Sequence, residues 1–257
     1  MDSQIPSIIF HQINHATLSK YVVPGSTPVP FFGNFVGAST YTIGINPSVR
    51  EFYSEKGELL KHNQKRLEDY ESLRLSRDEV IHSFSDKEAE KIYNACLKYF
   101  GPNYYHWFDR LESVVNRAFN SSYFDGSACH LDLIQWATDP IWGAISKADP
   151  INARYLLKNE LPFLHQQIEW ITKSNPNLKR FVLSGKTVIE SLKDIFSIKF
   201  VGKTDVTGKS KQYSNYVGHF GDAPVYGTSM NIPDSHTSNA HRESFKSWLI
   251  EREWKVS

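Results

Sequence analysis

The sequence predicts an α/β fold: a three-layer α/β/α sandwich around a central four-stranded parallel sheet. Three observations carry that expectation. Four short apolar segments read as strands, at about 41–45, 129–134, 180–184 and 225–229. Each runs into turn-forming residues and then into a stretch able to form a helix. Strands that alternate with helices in this way pair in parallel and need helices on both faces. The whole chain is expected to be one domain, with an irregular segment over 1–40 and a helical insertion over about 60–125.

The elements follow in order. Residues 23–35, VPGSTPVPFFGNF, mix Pro, Gly and aromatics and suit irregular chain. Tyr41, Ile43 and Ile45 then alternate with Thr42, Gly44 and Asn46, as in a strand, until Asn46-Pro47-Ser48 stops it. Residues 50–90 are polar and suit short helices. Ile92, Cys96 and Tyr99 mark one helix, closed by Gly101-Pro102. Trp107, Phe108, Leu111, Val114, Val115, Ala118 and Phe119 form the apolar stripe of a second. The next strand follows, with Leu131 and Leu133 alternating with His130 and Asp132. Asp149-Pro150 opens a long helix to about 173. The strand 180–184 passes through Ser184-Gly185 into a helix. The last strand enters the loop SMNIPDSHTSN, 229–239, and residues 241–254 close the chain as a helix with Phe245, Trp248 and Leu249 on one face.

Composition narrows the class. With 257 residues, 40% hydrophobic, 22% charged and a formal net charge of +1, the chain is an ordinary globular protein long enough to bury a core. It is not basic enough to coat nucleic acid, although a local patch would suffice for an enzyme touching a few phosphates. The stretch 179–211 supplies such a patch: eight basic side chains, including Lys186 and Lys209, stand against three acidic ones. Residues 201–212 are read as a mobile, solvated loop. The two cysteines, Cys96 and Cys129, form no Cys-x-x-Cys pair and suit buried, reduced thiols. No apolar run long enough for a membrane span is present and the start lacks a leader pattern. A soluble, cytoplasmic, monomeric protein is expected.

In a doubly wound sheet, the residues just past each strand gather along one edge, where ligands bind. That edge would collect Asn46-Pro47-Ser48, Asp132, Ser184-Gly185 and residues 231–236. The set is short of nucleophiles, with no Gly-x-Ser-x-Gly elbow. The GKT at 185–187 lacks the first glycine of a phosphate loop, since Arg180 stands there, and reads as a helix start. His236 and His241 have no carboxylate or cysteine suitably spaced in sequence, so no metal and no cofactor are expected. What remains are polar groups able to orient a water and hold a planar ligand. Gly44 permits close approach. Pro47 biases Asn46 toward an extended conformation, from which its amide can both accept and donate.

GINPS at 44–48 resembles the first active-site motif of the uracil-DNA glycosylase superfamily, nearest its mismatch-specific and single-strand-selective branches, which carry Gly-x-Asn-Pro-Gly. Residues 229–239 resemble a diverged second motif, with Pro233 and Ser235 but no His before the proline. HLDLIQWATDP, 130–140, resembles the segment between them, with Asp132 where a base-reading Asn would stand. The resemblance runs over about residues 40–250. It implies a four-stranded parallel sheet between helices and a monofunctional glycosylase acting on a nucleotide extruded from DNA. Asn46 would orient the attacking water, and His236 is the second catalytic candidate. Gly44, Ile45, Ser48, Phe52, Tyr53 and Asp132 would hold the base, with Phe52 or Tyr53 stacking on it. Pro47, Asn231, Pro233, Ser235, Lys186 and Lys209 would contact DNA, the 231–239 loop acting as a wedge. No Lys occupies a motif position suited to a Schiff base, so no lyase step is expected.

Asp132 is the informative departure. An ionised carboxylate only accepts hydrogen bonds. Facing uracil O4 it would lose a bond, a cost of about 1–3 kcal/mol; facing cytosine N4–H₂ it would gain a donor. Cytosine N3 is also an acceptor, so the fit needs a shared proton or a water. This favours a modified cytosine as substrate, such as the glucosylated hydroxymethylcytosine of phage DNA. The insertion agrees, since Tyr104, Tyr105 and His106 could line a larger pocket. Alternatives stay open. Asp132 could cap a loop or pair with a lysine, a two-residue shift would place His130 in the pocket, and the enzyme could instead repair uracil or mismatches. A DNA-binding module that has lost catalysis is the reading from another class.

Overall fold

The computed structural model describes residues 5–15, 17, 19–76, 83–204, 206 and 211–253, with residue 62 described by its backbone alone. Among them are eight α-helices and seven strands. In order these are α1 (Ser7–Ile13), β1 (Phe32–Gly33), β2 (Thr40–Gly44), α2 (Tyr70–Leu73), α3 (Asp86–Leu97), α4 (Asp109–Phe119), β3 (Ala128–Asp132), α5 (Trp142–Ala148), α6 (Pro150–Ser174), β4 (Arg180–Ser184), α7 (Lys186–Leu192), β5 (Lys199–Thr204), β6 (Tyr213–Phe220), β7 (Ala223–Thr228) and α8 (Asn239–Glu253). The protein is α/β.

The sheet is mixed and has the order β1-β3-β2-β4-β7-β6-β5. The four anticipated strands are its consecutive members β3, β2, β4 and β7. β2 pairs in parallel with β4, and β4 with β7, with Tyr41 opposite Phe181 and Phe181 opposite Val225. The expectation of four strands alone is corrected by β1 at one edge and the antiparallel pair β5–β6 at the other. Much of β5 and β6 is exposed or half-buried. A solvated antiparallel edge needs no continuous apolar run, and so it carries little signal in sequence. The same pair corrects the loop read over 201–212: residues up to Thr204 belong to β5, and 205 and 207–210, Lys209 among them, lie outside the described residues.

The chain divides into two compact units: residues 1–35, 45–105 and 131–170, and residues 36–44, 106–130 and 171–257. In the first unit, the Pro- and Gly-rich segment supplies core. Phe31 packs edge-on against Tyr93, Phe32 against Tyr99, and Phe35 stacks on Trp170. α3 starts from a capping box in which Ser85 accepts from the Glu88 N–H while Glu88 accepts from the Ser85 N–H. It buries Ile92, Tyr93 and Cys96, whose thiol is pushed up to about 12 by burial. α6 opens at Pro150, where a missing N–H costs nothing. Its buried face carries Leu156, Leu164 and Ile168.

The second unit holds most of the sheet. α4 buries Leu111, Val114 and Val115, packs on α8, and ends at Asn120, left-handed at φ +50°. α7 starts at Gly185, whose φ of +108° suits glycine alone, and so GKT is a helix start. Tyr41, Phe181 and Phe196 form an aromatic row. At Gly218 in β6, an added Cβ would stand 2.3 Å from the Phe196 carbonyl oxygen, a backbone atom that must itself move. Gly218→Ala is therefore expected to lower stability by about 2 kcal/mol, read as the urea midpoint; an unchanged midpoint contradicts this packing.

Candidate functional site

In the first unit, the end of the first motif is shaped by a missing donor. Ile134 N donates to Ile45 O at 2.9 Å. A parallel ladder would next use the N–H of residue 47, which proline lacks. Pairing returns as a single parallel bridge between Ser48 and Thr138. Asn46 sits in the gap, half-buried. Its Nδ2 donates to Pro47 O at 2.8 Å and to Thr138 Oγ1 at 2.9 Å. A carbonyl can only accept, which settles which end of the amide is nitrogen. Both N–H groups are then used, and Oδ1 accepts from no donor among the described residues. Pro47 is buried, and Ser48 caps the following turn by accepting from Arg50 N at 3.1 Å.

That turn carries Glu51 inward. Its carboxylate is 3% exposed and accepts from the Tyr99 hydroxyl at 2.6 Å, while the Tyr99 oxygen accepts from Tyr105 N at 3.1 Å. Burial pushes the Glu51 carboxyl up to about 7, opposed by the Tyr99 hydrogen bond and the charge of Arg66, and assisted by the like charge of Asp132. Arg66 is held by Arg50 O at 2.7 Å and Asn103 O at 2.9 Å. Asp132 is buried at the end of β3. The structure thus assembles Glu51, Tyr99, Asp132 and Arg66 behind the first motif. Glu51 and Arg66 were not singled out in the sequence, Tyr99 was read only as part of a helix face, and a lone Glu in a polar stretch gave no signal.

Other expected residues are distributed as follows. Gly44 is the last, buried residue of β2, and Ile45 is half-buried just after it. Phe52 is a core side chain, and half-buried Tyr53 donates its hydroxyl to Pro24 O at 3.3 Å. His130 is a core histidine of the second unit. Its Nδ1 lies 2.7 Å from Thr42 Oγ1, with Trp107 and Phe108 edge-on to the ring. Tyr104 and Tyr105 are half-buried and His106 is exposed beside Asp109. Gln135, 2% exposed, was missed: its Nε2 is buried without a hydrogen-bond partner among the described residues.

In the second unit, β7 leads into the 229–238 loop, which is held by side chains. Ser184 Oγ, at the end of β4, accepts from Ile232 N at 3.0 Å. Four successive carbonyls are then taken by side-chain donors. Thr237 donates to Asn231 O, Arg242 Nε to Ile232 O at 2.8 Å, Arg110 Nη1 to Pro233 O at 2.7 Å, and Arg242 Nη2 to Asp234 O at 2.6 Å. Arg242 is buried, and burial together with the charge of Arg110 lowers its pKa. Pro233 is buried, whereas Asn231, Ser235 and His236 are exposed. The His236 ring lies 3.0 Å from Asp234 Oδ1 and is 90% exposed. Lys186 is exposed and pairs with Glu190 at 3.6 Å. Truncating Arg242 orphans the Ile232 carbonyl and leaves the Asp234 carbonyl with only the Thr237 N–H, so Arg242→Ala is expected to cost about 2 kcal/mol and speed cleavage of the loop by a protease. A loop as resistant as the parent's would refute the clamp.

Among the described residues, no cluster of His, Cys, Asp or Glu could hold a metal, and no helix is long and apolar enough to cross a membrane. No protein-family model matches the chain, and no curated protein matches it in sequence.

Proposed function

We propose that the chain is a monofunctional DNA glycosylase that hydrolyses the N-glycosidic bond of an extruded pyrimidine, leaving an abasic site. The preferred substrate is a modified cytosine, glucosylated hydroxymethylcytosine of phage DNA foremost. One observation carries the reading: the Asn46 amide is locked by two donated hydrogen bonds, and its oxygen is left to position a water. The fold proposed with it is a three-layer α/β/α sandwich with β3, β2, β4 and β7 as a parallel core.

In this mechanism the bond from C1′ to the base nitrogen breaks, and the base departs with the electron pair and takes up a proton. The sugar is left cation-like and needs little nucleophilic push. The water held by Asn46 Oδ1 adds its oxygen to C1′ and releases a proton to solvent. Asp132 would accept from the exocyclic N4–H₂ of the base, with the neighbouring Glu51 as a source of the proton that N3 requires. His236 belongs to the other compact unit and carries no step in this mechanism. The protein would act as a cytoplasmic monomer in defence against phage, without a cofactor.

The exposed, water-screened His236 and the altered second motif favour one other reading: a DNA-binding module of the same fold that has lost catalysis. Mass spectrometry of bases released from defined single- and double-stranded DNAs separates the two. Release of free modified cytosine is expected. Release of uracil alone would replace the substrate with that of a repair enzyme. Binding without release from any DNA would leave the binding module.

A further inference from the structure

The side-chain clamp on the 231–234 backbone has a consequence for what the loop can bind. Its acceptors are consumed: the carbonyls of Asn231, Ile232, Pro233 and Asp234 all receive side-chain donors. Its donors are not. The Ser235 N–H and hydroxyl make no hydrogen bond among the described residues, and neither does the exposed Asn231 amide. Arg110 adds a full charge. It reaches from the first turn of α4, spends one N–H on Pro233 O, and makes no ion pair among the described residues. Its remaining N–H groups sit on an exposed side chain whose position is set by that bond. The buried Arg242 adds like charge behind it. The nearby carboxylates are committed, Asp234 to His236, Asp109 to His106 and Glu112 to the Tyr123 N–H. A surface with spare donors, a fixed guanidinium and spent acceptors is complementary to an anion with several acceptor oxygens.

We infer that Arg110, anchored on Pro233 O two residues before Ser235, contacts a backbone phosphate of a DNA strand. The inference rests on the glycosylase reading for its choice of DNA. Phosphates position a strand through such groups and carry no sequence information.

The test is the salt dependence of binding of the full chain to a fluorescein-labelled, unmodified oligonucleotide, as duplex and as single strand. Each phosphate neutralised contributes about 0.9 to the slope of log K against log salt on duplex and about 0.7 on single strand. Arg110→Ala is expected to lower the slope by about 1 on duplex, and Arg110→Lys to preserve it because the charge remains. A purely structural role would weaken binding equally at all salt concentrations, so an unchanged slope in Arg110→Ala overturns the proposal. A protein that binds no DNA overturns both it and the glycosylase reading. A lowered slope without base release from any DNA leaves the phosphate contact standing and removes catalysis alone. Base release with an unchanged slope does the reverse.

Discussion

Asn46→Ala should reduce base release by about a hundredfold or more while leaving the fold and DNA binding intact. Among the described residues the amide hydrogen-bonds only Pro47 O and Thr138 Oγ1, and the residue is half-buried rather than in the core. In the proposed mechanism, what disappears is the fixed acceptor for the water that would add to C1′, and loss of such positioning costs on this scale. Asn46→Asp provides the sharper contrast. A carboxylate can still accept from the Thr138 hydroxyl, but facing Pro47 O it sets acceptor against acceptor. The variant should stay folded and regain little activity. Abasic sites counted after alkaline cleavage of a labelled strand are the readout. Parent-like release from Asn46→Ala would end the water-positioning role.

Glu51→Gln should make the protein more stable at pH 8 and leave it nearly unchanged at pH 5. The Glu51 carboxyl titrates near 7 in the folded chain, pushed there first by burial, against an ordinary 4.5. Between those values the unfolded chain has released the proton and the folded chain still holds it. The folded state therefore binds more protons, and stability falls as pH rises through this window. The gap corresponds to about 3 kcal/mol at most, fully lost above about pH 7. Glutamine never ionises, and its Oε1 still accepts from Tyr99, so the variant escapes the loss. Urea unfolding of both proteins at pH 5 and pH 8 checks this. Parallel behaviour at the two pH values would mean that Glu51 is not desolvated in the way its surroundings imply.

The elements legible in the sequence were those whose signal is local. β4 and α7 stand where an apolar run meets Ser184-Gly185, because a positive φ at Gly185 is a property of one residue. The long helix from Pro150 to Ser174 follows from its proline start and apolar content. The stop at Asn46-Pro47 follows from a residue without an N–H. β5 and β6 were illegible because a half-solvated antiparallel edge tolerates Lys, Ser and Asn among its apolar residues. Residues 23–35 looked like simple connecting chain, since Pro and Gly erase periodicity. Yet Phe31, Phe32 and Phe35 are buried against aromatics from α3, the turn after it, and α6.

The same division runs through the site. The local geometry at Asn46, Pro47 and Ser48 follows from consecutive residues: a missing N–H at Pro47 and a capping hydroxyl at Ser48. The setting of Glu51 does not: its carboxylate accepts from Tyr99, 48 residues onward, and meets the like charge of Asp132 at the end of another strand. Nor does the role of Arg110, whose Pro233 partner lies 123 residues away. Residue order decided where strands stop and helices start, because those choices rest on dihedral preferences and missing donors within a few positions. Which charges were stripped of water, and which carbonyls were answered, was left to packing between segments remote in the chain, because desolvation is a property of a neighbourhood in space.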